Sequence, residues 1–431
     1  MLEIGRLRRE PDLVAAALDR RALPGAAEAV AAILERDRRR REELTRLNGL
    51  RATRNRVSKE IGAAKREGRD AGAEIERMRG LRAEIAEIDA SIAASGEWIA
   101  SELAGLPNLP DPEVPTGGES ENLVVRRSGE APPFDFEPLP HWELGSSLGI
   151  LDTDAGSRVS GSGFLVLRGA GAALQRGLID WMIRLHTGEH GYTEVRVPYL
   201  VREEAMHGTG QLPKFAEESY ATARDGLWLI PTAEVPVTNL HRGEILPGDS
   251  LPRRYVAYSP CFRREAGAAG RDTRGMLRVH QFDKVELVRF ERPDDSRRAL
   301  EVLTGEAARI LELLGLRYRV VTLASEDLGF SASLTYDLEV WSPGVRQWLE
   351  VSSCSTFTDF QSRRANIRFR PVQGAPTEFV HTLNGSALAL PRLMAALLES
   401  CQRADGSVRL PSVLEPALGF VEIPAASPPA R

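Results

Sequence analysis

Residues 28–103 contain no proline and are rich in Ala, Glu, Arg, Leu and Ile, a composition that favours uninterrupted helix. Apolar residues recur through them at Val30, Leu34, Leu44, Leu47, Val57 and Ile61, then at Met78, Leu81, Ile85, Ile88, Ile92, Ile99 and Leu103. Steps that are mostly three or four gather each set on one stripe of a helix. Between the sets lies EGRDAG, residues 67–72, whose glycines and aspartate stop a helix and turn the chain. Two helices joined by so short a turn must run antiparallel, each offering its stripe to the other. A helix of roughly 39 residues is about 60 Å long, so the hairpin is expected to project as an arm.

Charge separates two uses for such an arm. A dimerisation coiled coil would account for the apolar pattern by itself. Residues 35–66, however, carry twelve basic side chains against five acidic ones, a net of +7 in a chain whose overall charge is −5. A basic excess on one long arm of an acidic protein is what contact with nucleic-acid phosphates requires. The stretch from Arg36 to Arg66 is therefore read as RNA-binding.

Eight prolines fall between residues 105 and 140, together with Gly117 and Gly118, which reads as a linker. The expected division is a helical arm over 1–104, a linker over 105–140 and a second domain over 141–431. In that domain strand-like runs at 195–200, 227–231, 285–290, 318–322 and 347–351 mix with amphipathic helices at 173–186, 296–314 and 388–401. Their irregular alternation argues for an α+β fold on an antiparallel sheet. Cys261, Cys354 and Cys401 are too few and too scattered for a disulfide framework or a cysteine zinc site, so no zinc is expected. The N-terminus lacks an apolar segment of signal-peptide length, and no run is long enough to span a membrane. A cytoplasmic protein without a membrane partner is expected. The proline-rich tail from Pro411 is expected to be irregular.

The densest polar cluster is CFRREAGAAGRDTRGMLRVHQFDKVELV, residues 261–288. A strand-like start leads into a loop of Gly, Ala and Arg, then into a strand on which Phe282, Lys284 and Glu286 share a face. Arginines grip phosphates through planar bidentate forks, and Phe282 offers a ring on which a base can stack. No G-x-x-x-x-G-K-[ST] phosphate loop occurs in the chain. On charge alone, a solvated, salt-bridged hairpin loop would explain the segment equally well.

FRRE at 262–265, followed by GMLRVHQFDKVE at 275–286, resembles motif 2 of the class II aminoacyl-tRNA synthetases in its seryl form. Further segments agree, in the order the family uses. GEHGYTEVRVPYLV at 188–201 is similar to motif 1, whose proline, here Pro198, lies at that family's dimer interface. TGQLPKF at 209–215 recurs in the family. WLIPTAEVPVTN at 228–239 resembles its serine-binding segment, and WLEVSSCSTFTDFQSRR at 348–364 its ATP- and metal-contacting strand. HTLNGSALALPRLMAALLE at 381–399 resembles motif 3. With the hairpin, the resemblance spans nearly the whole chain. It implies an antiparallel-sheet class II catalytic domain with an N-terminal antiparallel two-helix coiled-coil arm, and a homodimer. The implied activity is ATP-dependent loading of L-serine onto tRNA(Ser), and onto tRNA(Sec) where a host has it, with the arm gripping the long variable arm of the RNA.

Carried over by position, the resemblance implies two catalytic residues: Arg263 on the α-phosphate and serine carboxylate, and Arg392 on the γ-phosphate. ATP would also meet Arg264, Glu265, Val279, Phe282, Glu350, Val351, Ser352 and Ser353, with Glu350 and Ser353 positioning magnesium. Thr232 and Glu234 would meet the serine ammonium, with Ala233 also in the serine site; Glu286 and Ser386 would bond the serine hydroxyl. A carboxylate that expects a hydroxyl rejects alanine strongly, whereas threonine must be refused by lack of room for one methyl.

Taken singly, these residues have blander readings. Glu286 suits a solvated strand edge, Ser386 a helix cap, and Thr232 the start of a helix with Glu234 in its first turn. Cys261 and Cys354 suit small core positions. Two departures from the family pattern stand out: Ala268-Ala269 in the motif 2 loop, and Leu390-Pro391, where many relatives carry glycine. Proline is tolerated in a first helical turn, so Arg392 should keep its place. Among rival functions, a ligase that loads a carrier protein would lack the basic hairpin. An RNA-binding paralogue without activity would be free to lose Arg263, Glu265, Glu350 and Arg392. Class I aminoacylation is excluded because neither an HIGH-type nor a KMSKS-type segment occurs.

Overall fold

The computed structural model describes residues 1–266 and 274–425, and the chain divides into two compact units, Met1–Pro107 and Asn108–Arg431. In the first, α1 (Ala26–Arg66) and α2 (Gly72–Gly105) form the hairpin. Arg36 lies over the Trp98 ring at 6.0 Å, and farther along Ser91 Oγ donates to Glu43 at 2.8 Å. Partner numbers fall as α1 advances, as antiparallel pairing demands. The buried seam is Leu47 against Ile85 and Ile88, flanked by Leu50 and Ile92. Gly68, at φ +68°, supplies the left-handed residue that ends α1.

Two short helices that periodicity did not reveal, Ile4–Arg9 and Pro11–Asp19, precede α1 and bury Leu7, Val14 and Leu18. Arg8 ties them to α1 through Asp37 at 2.7 Å. Six to nine residues are too few for a stripe to stand out from the sequence.

The second unit is built on an eight-stranded sheet. Its strands are β1 (Leu123–Ser128), β2 (Thr193–Glu194), β3 (Arg253–Phe262), β4 (Gln281–Glu291), β5 (Tyr318–Thr322), β6 (Leu334–Ser342), β7 (Gln347–Thr358) and β8 (His381–Ala389). They lie in the order β1-β5-β6-β7-β8-β4-β3-β2. Every neighbouring pair is antiparallel except β2 with β3.

Two expectations need correction. The stretch 105–140 is not a free linker: β1 within it pairs with β5, and Asn108, Leu109 and Val114 are buried. Asn108 Nδ2 donates to the carbonyls of Ser331 at 3.0 Å and Phe357 at 2.9 Å. Proline-rich composition marks irregular backbone, whether tethered or packed. The strand expected at 195–200 does not form either: residues 195–199 lie outside any strand, between β2 and a separate short strand, Leu200–Arg202, and Pro198 among them cannot donate to a ladder.

The helices of this unit that matter here are α3 (His141–Ser147), α4 (Ala170–Gly188), α5 (Glu234–Thr238), α6 (Ser296–Leu313) and α7 (Leu390–Cys401). One face of the sheet packs on α6, through Leu300, Leu303 and Leu311, and on α7, through Leu393, Met394 and Leu397. Period-two geometry then fixes the other face. On β4, Val285 and Leu287 enter the apolar core, so Lys284 and Glu286 point away from it. On β8, a Cβ at Gly385 would lie 2.9 Å from Cys354 Sγ and 3.2 Å from Leu303 Cγ, so only glycine admits this approach of α6. Asn384 and Ser386 therefore face the polar side. Ser386 lies inside β8 opposite Glu286, four residues short of α7, and does not cap that helix. Pro391 sits in the first turn of α7, as its tolerance there anticipates. Among the described residues, no helix is long and apolar enough to cross a membrane.

Candidate active site

The polar face of the sheet floors a cavity of about 520 Å³. Thr232 and Glu234 reach it from the turn into α5, and Phe282 and Lys284 from β4. Glu350, Val351 and Ser353 come from β7, Asn384 and Ser386 from β8, and Arg392 from α7. Arg263, Glu265 and Val279 line it from either side of residues 267–273. Ala268, Ala269 and Arg271 lie outside the described residues.

Four residues expected at the site do not line the cavity. Ala233 is fully buried in an apolar cluster with Val197 and Val237. The Arg264 guanidinium donates to the Glu217 carbonyl at 3.1 Å. Ser352 is buried, its hydroxyl donating to the Ser386 carbonyl at 2.6 Å. Glu286 sits one layer beneath the wall, fully buried, and acts on the cavity through its partners.

Those partners form the acidic end of the site. Asn384 Nδ2 donates to Glu286 Oε1 at 3.0 Å and to Glu234 Oε2 at 3.1 Å. Gln361 Nε2 donates to Glu234 Oε1 at 2.6 Å, and Thr382 holds that amide by donating to its Oε1 at 2.8 Å. The Lys284 ammonium lies 2.5 Å from Glu286 Oε2. Lys284 thus pairs with Glu286, and its charge, with that of Arg263, reaches the buried Glu234 carboxyl only from farther off. Burial, then the nearby Glu286 charge, push the Glu234 carboxyl up to about 7, with Gln361 opposing. Such a place favours a second cation small enough to enter, such as an ammonium group. Thr232 Oγ1 accepts from the Glu234 N–H at 3.2 Å; Thr232 stands in the turn before α5, whose N-cap is Ala233 and whose first residue is Glu234, and it lines the cavity.

The other end is cationic. The Arg263 guanidinium lies 5.2 Å from the Phe282 ring centre. Arg278 donates to Glu265 at 3.2 Å. Arg392 Nη1 donates to the Glu350 carbonyl at 2.9 Å and to its carboxylate at 3.1 Å. The Glu350 side chain is 46% exposed at the cavity; desolvation by the surrounding wall raises its carboxyl, but Arg392 and then Arg263 outweigh it and hold the group below its usual range. Asp337, opposite Ser353 on β6, is pushed well above the carboxylate range by burial and by Glu350. Its Oδ1 has no hydrogen-bond partner among the described residues. Burial raises the Cys261 thiol and pushes that of Cys354 to about 12, so both are inert core residues. His280 is structural: its Nδ1 meets the Arg263 carbonyl at 3.1 Å.

Sequence reasoning passed over Asn384, Gln361 and Asp337. Asn384 had a readable signal, since it stands two residues before Ser386 and so shares its strand face. Gln361 follows β7 in sequence, and only the tertiary fold brings it to Glu234.

The geometry agrees with comparison to known proteins. Residues 218–401 match the family described as tRNA synthetase class II core domain (G, H, P, S and T), and residues 1–110 match the seryl-tRNA synthetase N-terminal domain. The serine–tRNA ligase of Roseiflexus sp. (strain RS-1) is 52% identical over 428 residues, covering 98% of this chain and 99% of that protein. That of Thermomicrobium roseum is 52% identical over 420 residues, covering 97% and 94%. The crystal structure of Pyrococcus horikoshii seryl-tRNA synthetase complexed with ATP superposes with a TM-score of 0.95 at 36% identity, covering 99% of this chain and 100% of that one. The cytoplasmic enzyme of Naegleria fowleri in complex with AMP gives 0.89 at 26% identity, covering 99% of each chain. This chain belongs to the seryl-tRNA synthetase family of class II aminoacyl-tRNA synthetases.

Proposed function

We propose that the protein activates L-serine with ATP and transfers it to tRNA(Ser). The observation that carries this is a single cavity with a buried carboxylate pair bridged by Asn384 at one end and Arg263 and Arg392 at the other. The serine ammonium meets Glu234 and Thr232, and its hydroxyl meets Ser386 and the network around Glu286. Its carboxylate, neutralised by Arg263, attacks the α-phosphorus of ATP. The bond to the β-phosphate breaks, and pyrophosphate leaves beside Arg392. A ribose hydroxyl at the end of the tRNA then attacks the seryl carbonyl, and AMP leaves. The nucleophile is the substrate's own carboxylate, so positioning and charge neutralisation suffice. Phe282 stacks on the adenine, with Glu265 at its edge.

Glu350 and Ser353, which both line the cavity, offer the hard oxygen ligands that magnesium takes. Among the described residues no group of three or more His, Cys, Asp or Glu is placed to hold a metal. ATP phosphates and water would therefore complete the shell of an ion whose contribution is to neutralise phosphate charge. The basic hairpin serves tRNA(Ser), and tRNA(Sec) where a host has it. The enzyme works as a cytoplasmic homodimer.

Amino-acid-dependent exchange of pyrophosphate into ATP tests the activation step. Exchange is expected with serine and far less with threonine, alanine or glycine. Exchange driven by another amino acid would overturn the pocket assignment and favour a carrier-protein ligase. No exchange at all would point to an RNA-binding paralogue.

A further inference from the structure

A fully buried histidine outside the substrate cavity is built into the cavity's wall. His141, the first residue of α3, and Glu399, in the last turn of α7, are both 0% exposed. Glu399 Oε1 accepts from the His141 backbone N–H and from its Nδ1, each at 2.8 Å. Its Oε2 accepts from the Ser342 hydroxyl and from the N–H groups of Gly344 at 2.9 Å and Val345 at 3.2 Å. The far nitrogen of the ring, Nε2, accepts from the Met276 N–H at 3.1 Å. A backbone N–H can only donate, so the ring carries its proton on Nδ1 and leaves Nε2 bare.

Two neighbours tighten the same contact. Gly275 has φ +61°, and a Cβ there would lie 2.4 Å from His141 Nε2, so glycine is what lets the chain come this close. The Arg274 guanidinium covers the ring of Trp142, next after His141, at 4.5 Å. Met276 and Leu277 line the cavity, and Arg392 Nε donates to the Leu277 carbonyl at 3.2 Å. Consecutive residues of the wall are thus held from two ends of α7, by Arg392 directly and by Glu399 through His141.

We propose that His141, oriented by Glu399, is a positioning residue for ATP that fixes residues 274–277 and, through Leu277, the aim of Arg392. The inference rests on reading this cavity as the ATP site. Two substitutions separate positioning from bulk stability. In His141→Asn the amide can reach Glu399 but leaves the Met276 N–H without an acceptor. In His141→Gln the amide oxygen can reach the place of Nε2 and keep that bond.

In serine-dependent pyrophosphate exchange, His141→Asn is expected to raise KM for ATP about tenfold, the loss of one buried hydrogen bond. His141→Gln should stay within about twofold, and KM for serine should hold in both. Gly275→Ala, which forces a Cβ onto Nε2, should raise KM for ATP as His141→Asn does and serves if the buried variants do not fold. Equal ATP constants in the two His141 variants, or an unchanged one in Gly275→Ala, would overturn the proposal. Nitrogen-15 spectra of the histidine-labelled wild type supply a readout independent of activity. A protonated Nε2 on His141 would sink the hydrogen-bond chain even in an active enzyme. Wild type that shows no serine-dependent exchange while keeping the expected tautomer would instead remove the ATP–serine reading.

Discussion

At the residue scale the fold most changes the chemistry of Glu234. Its carboxyl stands at about 7 against an ordinary value of 4.5. Between those values the folded state keeps a proton that the unfolded state has lost, so this group's effect on stability turns unfavourable as pH rises from about 4.5 to about 7. Glu234→Gln removes that slope. Urea unfolding at about pH 5 and about pH 8 should show the wild type losing on the order of 3 kcal/mol relative to the variant across the interval. Serine binding runs the other way, because an ammonium needs the ionised carboxylate. KM for serine should rise as pH falls below about 7 in the wild type, and a flat profile would exclude Glu234 from the ammonium site. Asn384 is the second test. Its amide is the donor that Glu234 and Glu286 share, so Asn384→Ala leaves two carboxyl groups facing each other without it. A hydrogen bond to a charged group contributes about 1.5–3 kcal/mol. KM for serine should therefore rise by roughly ten- to a hundredfold, with KM for ATP nearly unchanged, as steady-state exchange kinetics would show.

At the element scale, α1 shows why a charge count reads differently once folded. Glu35 pairs with Arg38 and Arg39, Asp37 with Arg8 and Arg41, and Arg46 and Arg51 reach across to Glu84 and Asp89 on α2. Those pairs are mostly exposed and contribute little to stability; Glu35 and Asp37 already stand in the count of residues 35–66, so only Glu84 and Asp89 offset its excess of seven, and by two charges. Lys59, Lys65 and Arg66, near the turn, remain exposed. Reversing all three to Glu should weaken binding of tRNA(Ser) at least tenfold and flatten its salt dependence by about one unit of slope per lost phosphate contact. Pyrophosphate exchange should be unaffected; salt-dependent filter binding and exchange assays together would reveal either failure. The seam itself is ordinary core. Leu47→Ala should cost about 2–5 kcal/mol of hairpin stability by cavity formation, read from urea unfolding followed by helical circular dichroism.

At the scale of the whole molecule, the proposed homodimer predicts a particle of twice 47.3 kDa in light scattering, and a monomeric mass would remove Pro198 from an interface role. The sequence by itself determined the hairpin and the class of the second unit. Helical period over some forty residues, a Gly-bearing turn, and ordered polar segments are local patterns that survive without tertiary context. Alternation on β4 also brought Phe282, Lys284 and Glu286 onto one face, while the other expected site residues came into view through the resemblance of their ordered segments to the class II synthetase motifs. Only the tertiary structure decided the rest. Proline between 105 and 140 could not reveal that β1 finishes the sheet against β5, since pairing with a strand some two hundred residues away leaves no local mark. Neither could the segments that hold Arg264, Ser352 and Ala233 reveal that these turn from the cavity while their neighbours face it. Gln361 at Glu234, and Glu399 behind His141 and Met276, are likewise contacts between distant segments. A residue's chemistry here is set by desolvation and by the partners that packing brings to it, and neither quantity is carried by the residue's own stretch of chain.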